Sequence, residues 1–295
     1  MQRVLLTGAS SQTGQVLYPL LKNNNYDILG TYITRKTYDD LILMTPYDKK
    51  TIKDTINQFK PDIIIHTSAL NLVDYCEDNK EEAYLCNTEF TQELMLNTGD
   101  AVYFVFLSTD YVFDGESGPY IEESIPRPIS VYGKTKFDAE NIIVTNRPED
   151  SLIIRTTVLY GNDRYRKNYV LRLIDALRKS KDIKVPYDQV SSPTYTEVLA
   201  ECILRLIKKK KKGIYNIAGP DILSRSEFAY MIAEIFGLDK RLIVPVKTEE
   251  LAQRAKRPKK AGLLIDKIKK EIGIEIMDTQ HALKELGKEV IPQNV

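Results

Sequence analysis

Histidine and cysteine are scarce in this 295-residue sequence. It holds two histidines, His66 and His281, and three cysteines, Cys76, Cys86 and Cys202. Two histidines exclude a histidine-rich metal centre and argue against histidine-based catalysis. An odd cysteine count with no Cys-x-x-Cys spacing indicates neither a disulfide framework nor a zinc site, so no metal is expected. A surplus of one charge is also missing. Lys plus Arg number 42 against 41 for Asp plus Glu, without the basic excess typical of nucleic-acid binders. Long apolar runs are absent as well. The longest, near residues 63–73 and 101–107, are too short to cross a bilayer. The apolar run in the opening MQRVLLTGAS ends after three residues, which does not make a signal peptide. The chain reads as a cytoplasmic protein with no nucleic-acid or membrane partner. What it does have is 43% hydrophobic residues, enough at this length to bury a core without covalent staples.

Those hydrophobic residues are arranged in a rhythm. Val4–Leu6 is a short apolar strand, followed by helical spacing over about 12–22. Tyr26–Gly30 reads as a second strand. A helix over 49–59 precedes the strand at 63–65, a long helical stretch covers about 81–97, and Val102–Leu107 is apolar throughout. Strands that are apolar at every position are buried on both faces, as in a parallel sheet. Their alternation with helices predicts an α/β fold, a Rossmann-like doubly wound parallel sheet. After about Gly161 the rhythm loosens, with helices expected at 169–180, 196–209, 224–236 and 278–286. The stretch Ser224-Arg-Ser-Glu227 has the spacing of a capping box. Lys208–Lys212 reads as the solvated end of a helix. The expected division is a nucleotide-binding domain over residues 1–160, taking in about 188–217. A smaller substrate-binding domain then comprises 161–187 and 218–295.

The segment Thr7-Gly8-Ala9-Ser10-Ser11-Gln12-Thr13-Gly14 sits between the first strand and the first helix. Gly8 permits a tight turn, backbone amides at the helix start can meet a pyrophosphate, and Gly14 lets helix and strand approach closely. Ser11 stands where the usual fingerprint has its middle glycine. The expected cofactor contacts here are Gly8, Ser10, Ser11, Gln12, Thr13 and Gly14. Past the second strand, where NAD-specific sites commonly place an acid, this chain has Arg35 and Lys36. Two cations suit a 2′-phosphate, so NADPH is expected, with NADH as the alternative.

A Tyr-x-x-x-Lys pair occurs three times, as Tyr18/Lys22, Tyr32/Lys36 and Tyr132/Lys136. The spacing therefore selects nothing, and position decides. Tyr18 lies within the first helix and Tyr32 at the adenosine end. Tyr132 opens a helix that follows the strand at 102–107 and Ser108-Thr109, at the end of the strands where ligands sit in such sheets. Residues four apart share a helix face. A nearby ammonium and an oxidised nicotinamide are expected to lower the Tyr132 pKa and make the phenol a general acid toward a ketone oxygen. Lys136 would also hold the nicotinamide ribose, and Thr109, or Ser108, would bond the same ketone oxygen.

The stretches TGASSQTG (7–14), STDYVFDG (108–115), VYGKTK (131–136), SSPTYTEVLAE (191–201) and RPKKAGLLIDKI (257–268) occur in that order. Together they resemble the dTDP-4-dehydrorhamnose reductase family of the extended short-chain dehydrogenase/reductases, over almost the whole chain. The resemblance implies reduction of a 4-keto sugar linked to a nucleoside diphosphate, with Thr109, Tyr132 and Lys136 catalytic. It also implies that Ser108, Asp110, Tyr111, Val112 and Arg257 lie toward the sugar nucleotide, and that Ser68 and Ala69 lie along the cofactor. One departure is Leu43-Met44-Thr45-Pro46, where the family usually has an acid near the adenine. The methionine adenosyltransferase beta subunit carries similar segments, which leaves a regulatory role open. A sugar-nucleotide epimerase or dehydratase that recycles bound NAD is a further alternative, disfavoured by Arg35 and Lys36. A homodimer is also left open.

Overall fold

The computed structural model describes residues 1–290 and contains one seven-stranded parallel sheet. Its strands are β1 (Arg3–Thr7), β2 (Asp27–Tyr32), β3 (Ile42–Leu43), β4 (Ile63–His66), β5 (Tyr103–Thr109), β6 (Ser151–Thr156) and the segment Gly213–Asn216. Across the sheet they run β3-β2-β1-β4-β5-β6-(213–216). The chain builds outward from β1 through β2 to β3, then returns to lay β4 on the other side of β1. The order reverses between β1 and β4, and the carboxyl ends of those two strands open the crevice where ligands bind in such sheets. β4 reads Ile-Ile-Ile-His with all four residues buried, as expected of a strand covered on both faces.

Helices α1 (Gln12–Asn23), α2 (Lys49–Phe59), α3 (Val73–Asp78), α4 (Lys80–Tyr84), α5 (Phe90–Leu96) and α6 (Val131–Asn146) flank the sheet. The single helix expected over 81–97 is instead interrupted, with a π turn at Leu85–Glu89 between α4 and α5. The extra residue in that turn has a local use. Asn87 Nδ2 donates to Thr135 Oγ1 (3.0 Å), and Thr88 Oγ1 donates to the Thr135 carbonyl (2.8 Å). Side chains of the π turn thereby hold the middle of α6, consistent with the frequent use of π-bulges near functional sites.

One face of the sheet is covered by α1 and the helix Thr196–Lys208 and the other by α2, α5 and α6. A separate apolar cluster joins Val170, Leu171 and Ile174 to Phe228, Ile232, Leu283 and Leu286. The helix Arg225–Ile235 in this cluster begins with the predicted capping box, in which Ser224 and Glu227 bond reciprocally. Leu263, Ile265, Ile268, Ile272 and Ile276 pack into the first sheet core rather than this cluster. The sequence places this segment in the smaller domain. Its apolar residues pack beside Ile203, Ile207 and Tyr215, on the sheet face that the helix Thr196–Lys208 covers. Among the described residues no helix is long and apolar enough to cross a membrane.

Candidate active site at the carboxyl edge of the sheet

The turn after β1 is held open by its glycines. Gly8 has φ +72°, and a Cβ there would stand 2.7 Å from Ser68 Oγ and 2.8 Å from its backbone nitrogen. A Cβ on Gly14 would meet the Gly8 carbonyl at 2.1 Å, so only glycine lets α1 begin this close to the turn. Ser11 is the N-cap of α1. Its Oγ accepts from the Gly14 amide at 3.0 Å and lies 3.1 Å from Thr67 Oγ1. Gly14 therefore packs the helix against the turn, and its amide is already bonded. The Gln12 and Thr13 amides have no hydrogen-bond partner among the described residues. They are the free donors at the positive end of α1. The Gln12 side chain turns away to donate to Thr196 Oγ1 at 2.9 Å. Ser68 Oγ is buried without a partner, and Ala69 follows it, half-buried, beyond the end of β4. A turn stripped of Cβ atoms, two free amides and an unpartnered buried hydroxyl together fit a dinucleotide phosphate.

Arg35 and Lys36 lie exposed past the end of β2. The Arg35 guanidinium sits 5.0 Å from the centre of the Tyr165 ring, and the Lys36 carbonyl accepts from the Tyr165 hydroxyl at 3.3 Å.

At the other end of the crevice, α6 is set by three contacts. Ser130 caps it by accepting from the Gly133 amide at 3.1 Å. Glu77 Oε1 accepts from the Val131 amide at 2.8 Å, and the π turn grips Thr135. This places Tyr132 half-buried against Tyr111, ring centres 5.7 Å apart and edge to face. Thr109, at the end of β5, lies near enough to the Tyr132 phenol to favour its ionised form. One helical turn on, Lys136 is buried with 1% exposure, its Nζ 3.8 Å from the centre of the Phe106 ring of β5. It has no side-chain hydrogen bond among the described residues. Burial pulls its pKa down to about 7, only partly offset by Glu140. Thr109, Tyr132 and Lys136 thus stand together. The other two Tyr/Lys pairs do not join them. Tyr18 is buried in the sheet core beside Tyr38, and Lys36 is on the adenosine-end loop.

Electrostatics here differ from the sequence expectation. Burial raises the Tyr132 pKa above the ordinary phenol value, while Thr109 opposes the shift. Lys136 was expected to lower it, but in the free protein Lys136 itself tends to neutrality, and a neutral amine stabilises no phenolate. The phenol is therefore protonated at neutral pH, the form from which a general acid starts.

Two residues expected on the substrate side lie elsewhere. Ser108 Oγ donates to Glu140 Oε1 at 2.5 Å. Glu140 is paired in turn with Arg155 through Nη2 at 2.7 Å and Nε at 3.1 Å, and both side chains are almost wholly buried. Side chains alternate along a strand, so Ser108 and Thr109 face opposite sides and only Thr109 reaches Tyr132. Val112 is fully buried in the sheet core. Asp110 is buried and accepts from Thr157 Oγ1 (2.6 Å) and Thr109 Oγ1 (3.2 Å). Burial lifts its pKa to about 6. Arg257 does come to the site. Its Nη2 pairs with Asp74 Oδ1 at 2.9 Å, its guanidinium lies 6.0 Å from the Tyr111 ring centre, and Nη1 is buried without a partner.

Sequence reasoning missed several contributors. Asn87, Thr157 and Glu140 act by holding other residues, and isolated polar residues inside helices or after strands give no motif. His66 is another. It is fully buried, its Nδ1 lies 2.6 Å from Thr7 Oγ1, and Phe90, Phe104 and Phe106 pack around its ring. Burial and Lys136 hold its pKa well below the usual imidazole value, so it is a neutral packing group beneath the site.

The chain matches the protein-family model described as "RmlD substrate binding domain" over residues 1–291. It is 33% identical to the dTDP-4-dehydrorhamnose reductase of Aggregatibacter actinomycetemcomitans, over 97% of this chain and 98% of that one. It is 32% identical to methionine adenosyltransferase 2 subunit beta of Xenopus laevis, over 91% of this chain and 82% of the other. A crystal structure of dTDP-4-dehydrorhamnose reductase from Bacillus anthracis in complex with NADP superposes with a TM-score of 0.87 at 29% identity. That match covers 98% of this chain and 100% of the other.

Proposed function

From the premise that this chain belongs to the RmlD substrate-binding family, we propose that it reduces the 4-keto group of a nucleotide-linked sugar, converting dTDP-4-dehydrorhamnose to dTDP-rhamnose. The chain is an NAD(P)H-dependent oxidoreductase of the dTDP-4-dehydrorhamnose reductase type. The observation that carries the assigned reaction is the grouping of Tyr132, still protonated at neutral pH, with Thr109 beside it and the unbonded Lys136 one turn below.

When bound, NADPH supplies the hydride. The free amides of Gln12 and Thr13, the Gly8 turn and Ser68 would hold its pyrophosphate side, with Arg35 and Lys36 at its adenosine end. Lys136 Nζ, buried and without a hydrogen-bond partner, is the donor available for the nicotinamide ribose. Reduction of a ketone to an alcohol also needs one proton, and Tyr132 Oη–H donates it to the keto oxygen. The Thr109 hydroxyl is held on this side by the Tyr111 amide, which donates to its oxygen at 3.2 Å. Its own proton points to Asp110, so bonding the keto oxygen requires only rotation of that hydroxyl. Arg257 Nη1 is a buried cation with a free donor, suited to an anionic oxygen of the nucleotide. The decisive experiment is a turnover screen of NADPH against nucleotide-linked 4-keto sugars, read as loss of absorbance at about 340 nm. Turnover with dTDP-4-dehydrorhamnose supports the reading, and failure with every 4-keto sugar removes it.

The similarity to a methionine adenosyltransferase beta subunit favours one second reading, a regulatory subunit. Co-purification of a stoichiometric synthetase partner, together with no turnover of any 4-keto sugar, would establish it in place of the first.

A further inference from the structure

The loop 162–167, between β6 and the helix Tyr169–Arg178, lies in a stretch expected in the substrate-binding domain, yet it reaches the adenosine end of the crevice. It is braced from inside. Asp163 is buried, with Oδ1 accepting from the Tyr165 amide at 3.1 Å and Oδ2 from the Lys167 amide at 2.7 Å. It is also fastened to the phosphate-binding turn. Gln15 of α1 donates through Nε2 to Asp163 Oδ1 at 3.0 Å and to the Ser10 carbonyl at 3.2 Å, and its Oε1 accepts from the Arg164 amide at 3.2 Å.

So braced, the loop reaches the residues beyond β2. The Arg164 guanidinium donates to the Thr37 carbonyl and lies 4.7 Å from the Tyr38 ring centre. Tyr165 bonds the Lys36 carbonyl and lies beneath Arg35. Two anchors from one loop therefore fix the backbone that carries Arg35 and Lys36. Thr37 is 8% exposed and its Oγ1 is buried with no partner. Its carbonyl is the acceptor of the Arg164 guanidinium, and Arg35 and Lys36 directly precede it in the chain. A donor left unsatisfied next to clustered cations is the pattern expected where an anion completes the site.

We propose that Arg164, Tyr165 and Thr37 form a clasp specific for the 2′-phosphate of the cofactor. Arg164 and Thr37 are added donors, and Tyr165 is a positioning residue that holds Arg35 in place. This rests on the NADPH reading above. A planar guanidinium pinned by a carbonyl and an aromatic face is preorganised, so little side-chain entropy is lost when it meets a phosphate. An exposed lysine on an unbraced loop lacks that advantage.

The test is calorimetric titration of the cofactor-free protein with adenosine 2′,5′-bisphosphate and with adenosine 5′-monophosphate, which differ by the 2′-phosphate alone. The native protein is expected to prefer the bisphosphate. Arg164→Gln should weaken the bisphosphate about tenfold, roughly the effect of one charge-assisted contact, and leave the monophosphate within about twofold. Tyr165→Ala should do the same in smaller measure, with Tyr165→Phe, which keeps the ring under Arg35, close to native. Equal weakening of both ligands by Arg164→Gln would reduce the loop to a general structural support and overturn the clasp, as would no change in either. A native protein that binds the two ligands equally would instead overturn the NADPH reading itself.

Discussion

The two ends of the crevice solve different electrostatic problems. At the catalytic end, Lys136, Asp110 and His66 are buried and Tyr132 half-buried, and removal from water drives each toward its neutral form. At the adenosine end, Arg35, Lys36 and Arg164 lie in solvent. Removal from water penalises the charged form, which brings Lys136 to about 7 and Asp110 to about 6 and keeps Tyr132 and His66 neutral. Exposed cations can attract an anion. The same residue type, lysine, illustrates both, with Lys136 pulled to about 7 beneath the sheet edge and Lys36 left on a surface loop.

The sharpest way to break this comparison is Tyr132→Phe. Loss of the donated proton should lower kcat by about 10²- to 10⁴-fold, while the Kd for NADPH, measured by cofactor fluorescence, stays within about twofold. A mutant with native kcat would remove the proton-donor role. Next in size is the buried pair beneath the site. Arg155→Met strands the Glu140 carboxylate and should cost about 3–5 kcal/mol in urea unfolding. The double variant Arg155→Met/Glu140→Leu should recover most of that loss. If it did not, the pair would be stabilising beyond the mutual compensation of its charges.

Lys136→Met sharpens the comparison through pH. The unfolded chain holds a proton on Lys136 up to the ordinary value of 10.5, and the folded chain only to about 7. Between those values the unfolded state binds more protons, so the native protein gains stability from this group as pH rises. Below about 7 both states are charged and the full penalty applies. Lys136→Met should therefore raise the Tm of the cofactor-free protein most at pH 6.5, by about 5 °C, with the gain fading toward pH 10. A pH-independent gain would show that Lys136 is not desolvated. The smallest effect belongs to the exposed end. Arg35→Ala should weaken NADPH about tenfold and NADH less than about twofold, one charge-assisted contact to phosphate. Equal losses for both cofactors would sink the 2′-phosphate assignment.

Much of this was legible from the chain alone. β4, with three isoleucines in a row, reads as a strand buried on both faces. Gly8 and Gly14 marked a turn that no side chain could enter, and Ser224 with Glu227 marked a helix start through local bonds. The Tyr132/Lys136 pair was legible only through its place after Ser108-Thr109. What misled was local in a different sense. Ser108 and Thr109 looked interchangeable, and Val112 looked like a lining residue, because a sequence does not say which way a side chain turns at the end of a strand. Nothing signalled the π turn at Leu85–Glu89 or the reach of Asn87 to Thr135.

The sequence by itself determined the alternation of strands and helices, the glycine turn after β1 and the candidate pair Tyr132 and Lys136. These depend on apolar periodicity, glycine sterics and spacing, which act over a few residues. Only the tertiary structure decided how charged those side chains are and what completes each end of the site. The depth of Lys136 under β5, the distance from Gln15 to Asp163, 148 residues apart, and the meeting of Tyr165 with Arg35 depend on how distant segments pack. Desolvation and long-range contact are properties of that packing and leave no local trace in the chain.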